Sequence, residues 1–407
     1  MGLLSRYGLG ILFSSLREHS ELIGSKFITN ITMTTRKSFI NGISSLVSLA
    51  GITSFNSLFG AEKTNNRCLT KPSASFKFNS DGTITFFMIA DWHLRMKDKP
   101  PSTVIVNKLE KKIKALNASF VVLSGDNVNT RENTIEKFPI LMTPLVEALK
   151  RTNTSLAITF GNHDSEHAPN DSVYFSRQAQ YDWFKKQLGD LFIDYDIPEL
   201  TGVGTGVIDI YSKDTKKPSF KVYLADSGSY VRFREDGSPI PSSGWDNPHS
   251  DQIAWYIKDS ADKVPHLWIQ HIIVPDIITN GVFEKTDEQG KGIVKGRIDK
   301  SNPRKLFNVK PVASKLLAGQ VRESPCPPQW SIYENKEHTA NEVTLYEAWR
   351  KSGTMKGAFF GHDHSNSFDT IDNNDIRLGA TAIFNWGQVR VFKINADGTY
   401  TTKMEKL

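Results

Sequence analysis

From about residue 74 onwards, short apolar runs alternate with longer polar stretches in which apolar residues recur at a helical spacing. Runs such as residues 120–123 and 156–160 have the length of buried strands, whereas the stretch between Ile105 and Leu116 has the periodicity of an amphipathic helix. This alternation predicts an α/β protein built of packed layers.

The first two predicted strands, residues 76–78 and 84–90, are separated by Asp81-Gly82. An Asp-Gly pair between two apolar runs favours a tight turn, so these strands are predicted to pair as a β-hairpin. A long stretch from about residue 281 to 339, rich in Lys, Gly and Pro, is predicted to be an irregular insertion over the edge of the sheet at which the strands end.

Polar clusters follow directly after five of the predicted strands. These clusters are Asp91-Trp92-His93, Gly125-Asp126-Asn127, Gly161-Asn162-His163-Asp164, His271 and Gly361-His362-Asp363-His364. In open α/β sheets, ligands bind at the edge formed by the C-terminal ends of the strands. We therefore expect the clusters to converge on one site.

The residue types in the clusters indicate a metal site. Carboxylate and amide oxygens mixed with imidazole nitrogens suit Fe, Mn or Zn better than Ca. Seven such side chains are too many for one ion, so we expect two metal ions, about 3.5–4 Å apart, that share a bridging carboxylate. The chain has only two cysteines, Cys68 and Cys326, which excludes a cysteine zinc site.

No single cluster predicts this site alone. An Asp-x-His or Gly-Asp-Asn sequence is common in surface turns, and His271 by itself is typical of a core histidine. His266 competes with His271 for the ligand role, but His266 begins its strand whereas His271 follows the strand's end. The prediction depends on the conjunction of all five clusters.

Together, the motifs D-x-H, G-D, G-N-H-D, a later H and G-H-x-H resemble the calcineurin-like metallophosphoesterase superfamily over roughly residues 76–392. The resemblance implies two central mixed β-sheets flanked by helices, in a four-layer architecture. It also implies one ion held by Asp91, His93 and His364, and a second held by Asn162, His271 and His362. The remaining implied roles are a bridging carboxylate at Asp126, a general acid at His163, and imidazole-orienting carboxylates at Asp164 and Asp363.

Three further segments resemble more narrowly the plant purple-acid-phosphatase-like branch. They are Leu224-Ala225-Asp226-Ser227-Gly228, Gln252-Ile253-Ala254-Trp255 and His271-Ile272-Ile273-Val274-Pro275. The purple enzymes carry a tyrosine where this chain has Asn129, and a glycine where it has His93. A purple iron-tyrosinate centre is therefore not expected.

The expected function is the hydrolysis of a phosphorylated substrate, a monoester in the first place, by in-line attack of a hydroxide that bridges two metal ions. A phosphodiesterase or nuclease on the same centre is one alternative, and a scaffold that only binds is another. A scaffold is expected to lack some of the ligands, and this chain lacks none.

Charge gives little support to a nucleic-acid role. Half of the formal net charge of +6 lies in the first sixty residues, which carry five basic and two acidic side chains. The rest of the chain is only weakly basic, so no dedicated nucleic-acid binding is expected.

Residues 1–61 are predicted to be a leader that contains an export signal. Arg36 and Lys37 precede an apolar run at residues 43–55, and the pattern favours Met33 as the true start. A periplasmic or secreted protein is therefore expected, with an organellar or intracellular one as the alternative. Residues 62–73 are then a linker and residues 74–407 the phosphoesterase domain. No run reaches the roughly 18 uninterrupted apolar residues of a transmembrane helix.

Overall fold

The computed structural model of the protein describes residues 74–95, 101–130, 136–165, 176–213, 215–233, 239–274, 276–279, 282–286, 308–323 and 343–407. All of them belong to one compact unit, Leu69–Leu407. The predicted leader and linker lie outside the described residues. None of the helices in the described part of the chain is long and apolar enough to cross a membrane.

Strands account for much of the described chain. They are β1 (Ala74–Lys77), β2 (Thr83–Ile89), β3 (Phe120–Ser124), β4 (Ser155–Thr159), β5 (Gly206–Tyr211), β6 (Phe220–Ala225), β7 (Tyr230–Phe233), β8 (Pro239–Trp245), β9 (His266–Gln270), β10 (Phe283–Thr286), β11 (Asn308–Pro311), β12 (Leu316–Ala318), β13 (Met355–Phe360), β14 (Asp369–Ile371), β15 (Arg377–Ala380), β16 (Gln388–Asn395) and β17 (Tyr400–Lys406).

Helices connect many of these strands. They are α1 (Pro101–Leu116), α2 (Lys137–Thr152), α3 (Arg177–Leu188), α4 (Ser250–Asp259), α5 (Asp276–Thr279) and α6 (Leu345–Ser352). Helix α3 begins after Ser176, whose hydroxyl accepts a hydrogen bond from the Ala179 amide. Thr344 and Glu347 form a capping box at the start of α6. Such caps satisfy amide groups that have no partner within the helix.

Two mixed sheets form the centre of the protein. The smaller has five strands in the order β17–β16–β2–β3–β4, and the larger has eight in the order β1–β5–β6–β9–β13–β15–β14–β12. Strands β2, β3 and β4 run parallel, and so do β6, β9 and β13. Because parallel strands end at the same edge, the loops after β2, β3 and β4 lie side by side, and so do those after β9 and β13.

Apolar side chains pack in three layers between and outside the sheets. Phe86 and Phe392 of the smaller sheet share one buried cluster with Leu267 and Phe359 of the larger sheet. The outer face of the smaller sheet packs against α1, α2 and α3, and the outer face of the larger sheet packs against α4, α5 and α6. The predicted fold class, two central mixed sheets flanked by helices in four layers, is confirmed.

The prediction of a hairpin formed by the first two strands is wrong. The Asp81-Gly82 turn is present, because the Thr83 amide donates to the Asp81 carboxylate at 3.0 Å and Gly82 has a φ of 74°. However, β3 and β16 occupy both edges of β2. Strand β1 therefore pairs in parallel with β5 and belongs to the other sheet.

The prediction that the insertion is irregular is wrong in its described parts, which contain paired strands. Strands β10 and β11 pair with each other, and β12 extends the larger sheet beside β14. The predicted face of helix α1 is correct at Leu109 and Ile113, which are buried, whereas Leu116 is exposed at the end of the helix.

Candidate metal centre

The five polar clusters lie together at the C-terminal ends of strands from both sheets. Main-chain hydrogen bonds join neighbouring loops: the Asp91 amide donates to the Gly125 carbonyl oxygen, and the Gly361 amide donates to the His271 carbonyl oxygen, both at 3.0 Å. The two sheets are joined where the His362 amide donates to the Asp91 carboxylate at 2.9 Å. The site is therefore built from both sheets.

Four residues of these loops adopt the left-handed backbone conformation that non-glycine residues rarely occupy. They are Asp91, His93, Asp126 and His362, with φ angles of 56°, 50°, 52° and 69°. Such conformations cost of order 1–3 kcal/mol each and persist where the surrounding structure enforces them. The backbone conformations that direct these side chains into the site therefore raise the energy of the folded protein.

Two glycines allow the loops to approach closely. Gly125 has a φ of 104°, and a Cβ at this position would lie 2.6 Å from Nδ1 of His271. A Cβ on Gly161 would lie 2.6 Å from the main-chain nitrogen of Asp126. A larger residue at either position would push the loops apart.

One group of possible ligand atoms belongs to Asp91, His93, Asp126 and His364. The Nε2 atoms of His93 and His364 are 2.9 Å apart. They lie 3.7 and 3.4 Å, respectively, from Oδ1 of Asp91. Ligand atoms at right angles around an ion, each about 2.1 Å from it, lie about 3 Å apart. These distances suit a common ion.

A second group consists of Asp126, His271 and His362. Oδ2 of Asp126 is 3.2 Å from Nε2 of His271 and 3.5 Å from Nε2 of His93. One carboxylate oxygen therefore faces a histidine of each group, as a bridging ligand would. Nδ1 of His271 is 3.1 Å from the Ser124 carbonyl oxygen, a contact that leaves Nε2 available to a metal.

Several polar atoms of these buried side chains have no hydrogen-bond partner within the described part of the chain. They are Oδ1 of Asp91, Oδ2 of Asp126, both side-chain polar atoms of Asn162, and Nε2 of His271 and His362. Buried polar atoms normally have partners, so each such atom requires an explanation. Two metal ions would explain the oxygen and imidazole nitrogen atoms among them, although not Nδ2 of Asn162, which is an amide donor. The residues present fit a dinuclear centre. Asn162 is 1% exposed and lies in the loop between β4 and α3.

The charges of the site favour a cation. Burial disfavours the charged imidazole of His271, but the carboxylates of Asp126 and Asp91 outweigh this effect and raise its pKa to about 9. Burial and the neighbouring His271 lower the pKa of His362 to about 3. The carboxylates therefore attract positive charge to this position, and a metal ion would supply it in place of a proton.

His163 lies on the accessible side of the site. Its side chain is 25% exposed, and its Nε2 is 4.0 Å from Oδ2 of Asp126. The His163 amide donates to Oδ1 of the same carboxylate at 2.7 Å. Asp126 thus contacts both ligand groups and also fixes the loop that carries His163.

Asp164 and Asp363 are both fully buried beside the predicted ligands. The carboxylate of Asp164 accepts hydrogen bonds from the Gly161 and Asn127 amides at 2.8 Å and from the Val128 amide at 3.1 Å. Asp164 therefore orients two ligand-bearing loops through their main chain. The main chain of Asp363 forms the turn after β13, where its amide donates to the Gly361 carbonyl oxygen.

A buried ion pair that the sequence did not predict supports the Asn162 loop. Arg177 donates to both carboxylate oxygens of Asp226, at 2.6 and 2.7 Å, and to the carbonyl oxygens of Gly161 and Gly228, at 2.9 Å each. Asp226 directly follows β6, so the rule that identified the other clusters could have found it. Arg177 opens a helix and has no comparable signal in the sequence.

The described end of the insertion contacts the loop after β13. The Ser365 amide donates to the Glu323 carboxylate at 2.6 Å, and the Arg322 amide donates to the Asn366 side-chain oxygen at 2.9 Å. These bonds hold the segment that follows His364.

The two other histidines in the described part of the chain, His249 and His266, belong to neither ligand group. His266 is buried at the start of β9, with Nε2 2.7 Å from the Tyr256 hydroxyl, away from the ligand groups. His249 is partly exposed, and its Nε2 is 3.2 Å from the Asp246 carboxylate. His167 and His338 fall outside the described residues.

This fold and this pair of Asp and His groups define a metal-dependent hydrolase. The family model of the calcineurin-like phosphoesterases matches residues 84–366, and the chain belongs to that family. It is a metal-dependent phosphoric ester hydrolase, and its Asp and His clusters suit a dinuclear centre.

Solved structures give further likenesses. A dimetal phosphatase from Danio rerio has 10% sequence identity and a TM-score of 0.44, with 78% of this chain and 98% of that chain covered. GAP50, the anchor in the inner membrane complex of Plasmodium, has 9% identity and a TM-score of 0.39, with 80% of this chain and 84% of that chain covered. Comparison with curated proteins gives no match.

Proposed function

We propose that the protein hydrolyses phosphate monoesters and that His163 protonates the departing alcohol. The observation that carries the proposal is the position of His163, partly exposed and 4.0 Å from the carboxylate oxygen shared by the two ligand groups. An imidazole at this position would reach a phosphate held between the two predicted ion positions. A positioned imidazole is a typical general acid near neutral pH.

The residues of the two groups would have distinct roles. Asp91, His93, Asp126 and His364 would hold one ion, and Asp126, Asn162, His271 and His362 the other. When bound, the two ions supply charge neutralisation at the phosphoryl oxygens and a water of lowered pKa. Asp126 also fixes the His163 main chain, so it aligns the proton donor with the metal site. The burial of Asp91, Asp126 and His271 excludes bulk water from the ligand side.

The narrower proposal is that the chain belongs to the purple-acid-phosphatase-like branch without a tyrosinate centre. The three segments that carry this resemblance form one hydrogen-bonded network. The Gln252 side chain donates to the Asp226 carbonyl oxygen at 3.0 Å, and the Ile272 amide donates to the Ser227 hydroxyl at 3.0 Å. Because hydrogen bonds join the three segments into one structural unit, their joint occurrence supports the resemblance to this branch.

Turnover of p-nitrophenyl phosphate and of bis-p-nitrophenyl phosphate, with added Mn, Zn or Fe, tests the proposal. We expect a higher kcat/KM for the monoester, and reduced turnover of both compounds by the Asp126→Asn variant. A higher kcat/KM for the diester would instead show a phosphodiesterase on the same centre.

A further inference from the structure

The hairpin of β7 and β8 brings an aromatic pair to the edge of the candidate metal centre. Tyr230 opens β7, Trp245 closes β8, and the two residues are directly paired in the ladder. The hairpin's base is anchored to a ligand loop, because the Ser229 hydroxyl donates to the Asn162 carbonyl oxygen at 3.1 Å. The Asp246 amide donates to the Ser229 carbonyl oxygen at 2.9 Å. These bonds fix both ends of the aromatic pair beside the Asn162–His163 loop.

The aromatic pair continues outward from a predicted ligand. The Trp245 ring lies 4.4 Å from the His362 imidazole, at an interplanar angle of 80°. The Tyr230 ring lies 4.8 Å from the Trp245 ring, at 36°. His362 is 5% exposed, Trp245 is partly exposed and Tyr230 is 39% exposed. The three rings therefore form a path of increasing exposure, from the ligand group to the solvent.

We propose that Trp245 and Tyr230 bind a planar ring carried by the substrate's leaving group, so that phosphate esters of ring-bearing alcohols are the preferred class. The proposal rests on the hydrolytic function proposed above. A phosphate held between the two predicted ion positions would direct its leaving group towards the residue proposed to protonate it. That residue, His163, follows Asn162, to whose carbonyl oxygen the hairpin is anchored.

An aromatic pair is suited to this task because offset and edge-on ring contacts are favourable beyond the area that they bury. A saturated ring of the same size buries a similar area without those contacts. Selectivity for planar over saturated rings therefore reports the aromatic contact itself.

Benzyl phosphate and cyclohexylmethyl phosphate form the matched substrate pair. Both are primary alkyl monoesters of similar size and leaving-group chemistry, and they differ in the planarity of the ring. Adenosine 5′-monophosphate and ribose 5-phosphate form a second pair with the same reacting alcohol, which shows whether a nucleobase or a benzene-type ring is preferred. If no monoester is hydrolysed, the methyl diesters of the benzyl and cyclohexylmethyl compounds measure the same ring selectivity, which separates this proposal from the proposed function.

Trp245→Leu should lower the ratio of kcat/KM for the planar over the saturated substrate by roughly 2- to 10-fold, the range of aromatic contact contributions. Tyr230→Leu should lower it less, because Tyr230 lies further from the ligand group. Trp245→Phe retains a ring and should restore most of the ratio. Trp386→Leu is the control, since Trp386 is a half-exposed tryptophan in another loop, and it should leave the ratio unchanged.

Metal content measured on each variant distinguishes substrate binding from a structural role. We expect Trp245→Leu to keep the wild-type metal content while the ratio falls. If Trp245 only positions His362, the variant loses metal and both substrates slow equally, which would overturn the proposal. An unchanged ratio in Trp245→Leu, or an equal fall in Trp386→Leu, would also overturn it.

Discussion

Asn162 and His163 are neighbours in one loop, yet their surroundings differ. The Asn162 side chain is 1% exposed, and neither of its polar atoms has a hydrogen-bond partner in the described structure. The His163 side chain is 25% exposed. Burial suits a metal ligand, whereas access suits a group that exchanges a proton with substrate. Replacing each residue should therefore affect different properties.

The first prediction concerns His163→Ala. Positioned acid catalysis contributes about 10²–10⁴-fold, so we expect a loss in this range for alkyl esters, with little change in metal content. The loss should be smaller for p-nitrophenyl phosphate, whose leaving group needs less protonation. Asp126→Asn should instead reduce metal content and activity together. Elemental analysis beside rate measurements checks both variants, and a His163→Ala protein that loses a metal would show that His163 is a ligand.

The second prediction concerns Asn129. A purple colour requires a phenolate on iron(III), and the residue at this position in the purple enzymes is a tyrosine. We therefore expect the iron-loaded protein to have no intense visible charge-transfer band. The iron-loaded Asn129→Tyr variant is the matched comparison, because it restores the missing phenol. An intense band in the wild-type protein would contradict the prediction.

The third prediction is a pH dependence that arises from His266. Burial lowers the pKa of His266 to about 4, whereas an unfolded histidine has a pKa of about 6.5. As the pH falls, the unfolded chain binds this proton first, so the free energy of unfolding decreases from about pH 6.5 to about pH 4. Between pH 7.5 and 5 the decrease due to this residue should be about 2 kcal/mol.

Urea unfolding with chelator present, at both pH values, checks this effect. His266→Gln retains a partner for the Tyr256 hydroxyl, which lies 2.7 Å from Nε2 of His266, but it cannot titrate. The variant should therefore lose about 2 kcal/mol less than the wild type on acidification. Equal losses in the two proteins would rule out His266 as the source.

At the scale of elements, the ion pair of Arg177 and Asp226 joins the start of α3 to the loops after β4 and β6. The Arg177 side chain is only 12% exposed and that of Asp226 is fully buried. Removing one member of a buried pair leaves a charge without compensation and typically costs about 3–5 kcal/mol. The loop that carries Asn162 would also lose the donor to its Gly161 carbonyl oxygen.

The fourth prediction follows from this pair. We expect Arg177→Met to lower the free energy of unfolding by about 3–5 kcal/mol and to reduce metal content, and Asp226→Asn in the same chain to recover part of the stability. Arg151→Met is the control: Arg151 pairs with Glu110 at 2.7 Å but is 52% exposed, so its loss should cost about 1 kcal/mol or less. Urea unfolding and elemental analysis test these values. Similar losses in the two single variants would contradict the prediction.

The strands that end in the site could be predicted from the sequence because buried parallel strands are continuous apolar runs. The predicted runs at residues 120–123 and 156–160 correspond in this way to β3 and to most of β4. The partner of each strand could not be predicted, because pairing depends on which strands already occupy the two edges of its neighbour. For this reason the turn at Asp81-Gly82 was correct while the pairing of β1 was not.

Contacts between distant positions are equally unpredictable in the site. The sequence places His271 at a strand end. The contact between Trp245 and His362, however, joins positions far apart in the chain and leaves no periodic signal. The contacts of Arg177 leave no signal in the sequence for the same reason. Long-range contacts between irregular segments are set by the folded structure, and a single sequence contains no local pattern for them.

At the scale of the whole molecule, the two candidate ion positions join the two sheets. Asp91 and Asp126 follow strands of the smaller sheet, and His271 and His362 follow strands of the larger sheet. Bound ions would therefore stabilise the packing of one sheet on the other. An ion that binds only the folded state adds about 2.7 kcal/mol at a concentration one hundred times its dissociation constant.

The fifth prediction is that thorough chelation abolishes activity and lowers the Tm, and that adding back Mn, Zn or Fe restores both. Activity assays and thermal unfolding of the same samples provide the measurements. The Asp126→Asn variant should show a smaller change in Tm on chelation, because it lacks the shared carboxylate. Full activity after chelation would contradict the assignment of a metal centre.

The separation of the ligand loops along the chain determines when the metal can be acquired. His93 and His364 come within 2.9 Å of each other although they are 271 positions apart. A growing polypeptide therefore cannot assemble either ligand group until the loop after β13 has left the ribosome. Metal selection then depends on the ions available in the compartment where folding is completed. The same chain folded in two compartments should accordingly contain different metals.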